Sequence, residues 1–159
     1  MKQRTIHSQK MSDNLCYPDG VYQWIFRTTI VLHPTNIFTA FYYRMNICGI
    51  MGVALYMTSL NYWRYPLLNS IRRKIDMTVA KISVGYHLYV SWYTTNRYLT
   101  FLPISLGTSL YFVSFFLEKK KYIKTAALIH CFFHFLVSVG ASLTYRDYFL
   151  QNASPPTFL

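Results

Sequence analysis

Three stretches of the chain carry no ionised side chain. They are MNICGIMGVALYMTSLNYW between Arg44 and Arg64, YLTFLPISLGTSLYFVSFFL between Arg97 and Glu118, and TAALIHCFFHFLVSVGASLTY between Lys124 and Arg146. A helix rises 1.5 Å per residue, so about 20 mostly apolar residues cross roughly 30 Å of hydrocarbon. The pattern predicts membrane spans over 45–63, 98–117 and 123–145. A fourth segment, 75–95, is apolar apart from Asp76, Lys81 and His87. It reads as a further span, with Lys81 snorkelling along its apolar stem to the interface. A re-entrant or interfacial helix is the alternative there.

The flanks fit these boundaries. Tyr42 and Tyr43 precede the first span, and Tyr62, Trp63 and Tyr65 close it; Trp92, Tyr93 and Tyr98 surround the turn at Asn96 and Arg97. Amphipathic rings of this kind collect at headgroup level. Residues 1–20 are polar and end in the turn signal Tyr17-Pro18-Asp19-Gly20. They lack the apolar core of a secretory signal. Residues 21–33 are aromatic but too short to span, and His33-Pro34 predicts a break before the first membrane helix. The region 21–44 therefore reads as an interfacial segment or a loop packed over the bundle. A short tail, 152–159, carries the sequon Asn152-Ala153-Ser154, spoiled by Pro155.

Composition narrows the function classes. The 159 residues are 53% hydrophobic and 19% aromatic but only 13% charged, about half the share in soluble domains. The cysteines Cys16, Cys48 and Cys131 are odd in number and scattered, which gives neither a disulfide framework nor a CxxC metal site. The fold class expected is an all-α membrane protein: about four transmembrane helices in 45–151 with an N-terminal interfacial segment.

The net charge is +11, and its distribution predicts topology. Arg64, Arg72, Arg73 and Lys74 lie in one loop, and Lys119, Lys120, Lys121 and Lys124 in another. The positive-inside rule puts loops 64–74 and 118–124 on the cytoplasm-equivalent side of an organelle or viral membrane, and both termini opposite. Lys2, Arg4, Lys10, Arg27 and Arg44 then sit on the wrong face and blur the tally. The two clusters also suit anionic headgroups, at about 1 kcal/mol per residue near the surface. They flank hydrophobic spans and line no soluble face, which argues against nucleic acid.

Polar residues inside spans are the candidate chemistry. Asp76, Ala80, Ser83, His87 and Ser91 share one helix face, with Lys81 about 140° away. Ala127, His130, His134 and Ala141 share another, with Ser138 beside it. Counting from Lys74 and Lys124 at 1.5 Å per residue puts His87 and His134 roughly level and Asp76 shallower than His130. Two readings follow. The imidazoles act as hydrogen-bonding glue between helices, or His87, His130 and His134 converge on zinc with an open water position.

Ser59, Asp76 and the His130-x3-His134 pair resemble, in order and side of the membrane, motifs of the alkaline-ceramidase and adiponectin-receptor superfamily of membrane hydrolases. The resemblance covers about a dozen residues. It implies a zinc-dependent hydrolase of a lipid amide or ester. Two features depart from the family: Trp63 stands where its Ser-x3-His motif places a ligand, and the family has seven spans. With few acids, no nucleophile–base pair and no phosphate loop, the leading expectation is a non-catalytic structural or assembly subunit without cofactor. Its partners are then the bilayer and other membrane proteins in a larger assembly.

Overall fold

The computed structural model describes residues 15–18 and 20–153; the polar stretch 1–14 and the tail from 154 lie outside the described residues. Five helices follow one another: α1 Tyr22–Tyr42, α2 Asn46–Trp63, α3 Ile71–Trp92, α4 Arg97–Lys119 and α5 Ile123–Ala153. Among the described residues there is no strand, only an isolated antiparallel bridge between Leu15 and Leu67. The all-helical class is therefore as expected. Two helices, α4 and α5, are long and apolar enough to cross a membrane.

The region 21–44 departs from expectation. It forms a single 21-residue helix that runs through His33 and Pro34. Proline removes one hydrogen-bond donor, but a packed apolar helix tolerates that loss where neighbouring helices support it. Here His33 is buried against α2 and α5, its ring 6.3 Å from Tyr56 and 5.4 Å from His134. Packing thus holds the helix together across the proline. Pro103 lies inside α4 in the same way.

Helix ends have local causes. The Arg73 backbone N–H donates to Ser70 Oγ at 3.2 Å, an N-cap that starts α3. Helices α1 and α4 each stop in a left-handed residue, Arg44 (φ 58°) and Lys121 (φ 65°). The Met45 N–H reaches back to the Ala40 carbonyl at 2.8 Å, and the Tyr122 N–H to Leu117 at 3.0 Å. These are Schellman ends built without the usual glycine.

Each helix packs on the next, and α1 closes the ring against α5. The α4–α5 pair is the most extensive, and α3 meets α5 only slightly. Close approach of α4 and α5 needs two glycines. A Cβ on Gly107 would lie 2.9 Å from Val137 Cγ2, and one on Gly140 would lie 3.0 Å from the Ile104 backbone nitrogen. Small residues at such crossings let backbones approach.

The chain before α1 lies at the basic end of the bundle. The Cys16 N–H donates to the Pro66 carbonyl at 2.8 Å, and Cys16 and Tyr17 reach Glu118 near the end of α4. Of the segment expected at the end away from loops 64–74 and 118–124, residues 15–17 instead lie beside those loops, because the chain forms one helix more than expected. At the other end, Asn96 donates from its backbone and side chain to Asp147 at 2.9 and 2.7 Å. That pairing ties the overhang of α5 to the α3–α4 turn.

Crowding makes a contrast measurable by thermal unfolding. Gly140→Val should lower stability by about 1–3 kcal/mol, as overpacking does. Gly85→Ala, whose Cβ meets nothing within 4 Å, should leave it unchanged or raise it by up to about 1 kcal/mol.

Candidate functional site: a polar-lined chamber inside the helix ring

Polarity in this bundle runs inside out. Phe38, Ile50 and Tyr98 are 75%, 64% and 77% exposed, whereas Ser91 and Thr144 are fully buried. Asp76, Ser83, His87, His130, Ser59 and Ser114 are buried as well. The two predicted polar faces, on α3 and α5, do turn inward.

These groups surround a chamber of about 360 Å³ lined by all five helices and the strap at Cys16 and Tyr17. Small-molecule sites span about 300–1,000 Å³, so the space is of ligand size. Three polar stations line it. At the first, Asp76 accepts from Ser59 Oγ at 2.6 Å and Thr58 Oγ1 at 3.3 Å, joining α3 to α2. At the second, His87 bonds the Ser83 carbonyl at 2.7 Å through Nδ1 and the Tyr145 hydroxyl through Nε2. Both ring nitrogens are engaged, and α3 is joined to α5.

The third station is aromatic. The His130 and His134 ring centres lie 5.0 Å apart, His33 lies 5.4 Å from His134, and the Trp63 and Tyr111 rings lie 5.3 and 5.9 Å from His130. His33 Nδ1 and His134 Nε2 are buried without a hydrogen-bond partner among the described residues. Asn36 completes the seam between α1 and α5, donating to Ser138 at 2.9 Å and accepting from Ser142 at 3.2 Å.

The structure divides the sequence candidates. Ser59, Asp76, His87, His130 and His134 all line one chamber. His87, however, is not level with His134: it meets Tyr145, 11 residues and about 16 Å further along α5. Helix stagger accounts for this, since Lys74 and Lys124 do not mark one level. Zinc does not fit the donor set. His87 is spent on Ser83 and Tyr145, Trp63 occupies the side of His130, and no described group of three or more His, Cys, Asp or Glu is placed to hold a metal.

Sequence reasoning missed the capped basic end of the chamber. There Glu118 accepts from Cys16 Sγ at 3.4 Å and Tyr17 Oη at 3.2 Å, with Arg73 Nη2 at 4.0 Å. Burial, reinforced by the Glu118 carboxylate, pushes the Cys16 thiol up to about 11 and the Tyr17 phenol above its ordinary value. The only signal was the Tyr-Pro-Asp-Gly turn, which points to a bend and not to its partner. Comparison with known proteins finds no family model, no curated protein and no solved structure that matches this chain.

Two measurements follow from the stations. Tyr145→Phe strips His87 of a cross-helix partner and should cost about 1–2 kcal/mol of stability. With Cys48 and Cys131 replaced by alanine, Cys16 should react with maleimide far more slowly than a free thiol at pH 8. Its raised pKa means that the rate climbs only as pH approaches about 11. Glu118→Gln should shift that climb to lower pH, and a free-thiol rate in the parent would refute the burial.

Proposed function

We propose that the chain is an integral membrane protein whose five helices all cross the bilayer, and that it works as a non-catalytic subunit by binding lipid and partner proteins. The observation that carries this reading is the inverted polarity. Large apolar side chains cover the outside along every helix, while Asp76, His87, His130, Ser59, Ser114 and Thr144 are buried inside. In water such a surface would far exceed the apolar patches that monomers expose. In lipid it is the expected arrangement.

Adding α1 to the four expected spans improves the charge asymmetry. Helix α1, with 21 residues, is about 32 Å long, enough for the hydrocarbon. Five crossings put the strap and the loops bearing Arg72–Lys74 and Lys119–Lys121 together on the cytoplasm-equivalent side. Arg44, Arg97 and Arg146 remain at the other end. The binding role draws support from the chamber's polar groups. Asp76, His87, Ser114 and Asn36 already join helices, as glue does. Exposed Trp24, Phe38, Phe116 and Phe132 suit protein contacts as well as lipid.

The protein is expected to stay in the membrane pellet through alkaline carbonate washing, and to show a native mass above one chain after mild-detergent purification. Solubility without detergent would overturn the membrane half. A strict monomer without a partner would overturn the subunit half. One zinc per chain, lost on His134→Ala, would replace binding by hydrolysis.

A further inference from the structure

The chamber is open on one side. Lys81 and Gly85 on α3, and Phe112 and Phe115 on α4, line it and are also exposed on the outer surface. Residues that face both an interior space and the outside bound an opening. Gly85 keeps the gap clear, since a Cβ there would meet nothing within 4 Å. Deeper in, Leu55, Val84, Leu88 and Val137 give the chamber an apolar wall.

Two cations without a carboxylate partner among the described residues flank the opening. Lys81 has neither an ion pair nor a hydrogen bond among the described residues. Helical side chains lean toward the N-terminus, so its ammonium leans toward the basic end of α3. Across the gap, the Lys119 ammonium lies 4.6 Å from the centre of the Phe115 ring. The acids that face the chamber are engaged elsewhere: Asp76 with Ser59 and Thr58, Glu118 with Arg73, Cys16 and Tyr17. Their charge keeps an anion from moving inward, while the two lysines hold it at the edge.

The geometry points to a lateral site for an anionic phospholipid: one acyl chain passes between Gly85 and Phe112 into the chamber, and the phosphate stays at the rim between Lys81 and Lys119. The site rests on the membrane-embedded reading above. A lysine near a headgroup is worth about a fivefold preference for anionic over zwitterionic lipid. Two lysines give a larger one.

Trp63, in the chamber wall, is the reporter. The full chain carrying Trp24→Phe and Trp92→Phe keeps it as the sole indole. In vesicles of phosphatidylcholine, phosphatidylglycerol with brominated acyl chains should quench Trp63 at a mole fraction at least about fivefold below that needed for brominated phosphatidylcholine. Lys81→Gln with Lys119→Gln, both at exposed positions, should abolish that preference. Gly85→Leu should abolish the quenching and leave the melting temperature unchanged. Equal quenching by the two lipids would overturn the headgroup assignment, as would stronger quenching by a brominated free fatty acid. Quenching unaffected by Gly85→Leu would overturn the portal. Failure of the membrane reading is distinct, because the protein would then not float with the vesicles at all.

Discussion

A hydrogen-bonding group without a partner in an apolar surrounding costs several kilocalories per mole. That constraint organises this bundle. The exterior is apolar, so a polar side chain bonds either to a carbonyl of its own helix, as Thr28, Thr35 and Ser105 do, or inward to a neighbouring helix. Ser59 on Asp76, His87 on Tyr145, Asn36 on Ser138 and Ser114 on the Ala126 carbonyl each settle one such debt, and each joins two helices. The same bonds fix which helices are neighbours, since apolar surfaces alone pack in many registers. Packing of small residues then sets the distances, as at Gly107 and Gly140 between α4 and α5.

The chamber follows from this arrangement. Helices α4 and α5 lie close along their length, and α1 closes the ring, but α3 barely touches α5. The space left between them is walled by the polar stations. At the basic end the strap of Cys16 and Tyr17 caps it, anchored on Glu118 and Pro66. The strap, buried at both residues, belongs to the fold as much as the helices do.

Much of the architecture was legible in the chain, for identifiable reasons. Helices α2, α4 and α5 announce themselves as long uncharged runs, and the inward faces of α3 and α5 show as polar residues at helical spacing. Helix α1 was hidden because two local signals, Arg27 and His33-Pro34, both argue against a long apolar helix, and only tertiary packing of His33 overrides them. The candidate site was half visible. Which polar residues point inward follows from periodicity; which of them meet does not, because helix stagger is a property of the assembled ring. His87 finds Tyr145, and Trp63, which the flanking pattern assigns to an interfacial belt, meets His130 edge to face. The Glu118 cluster joins residues about a hundred positions apart, a distance no spacing rule spans.

Among the described residues an odd helix count separates Leu15, beside Leu67, from the far tip of α5, where Phe149 meets Tyr43. Two copies of the described segment, 15–153, joined through a short linker would consequently run in opposite directions. Duplication of such a chain would yield an inverted repeat with a pseudo-twofold axis, the symmetry on which many transporters are built, with the second copy's basic end turned to the opposite side.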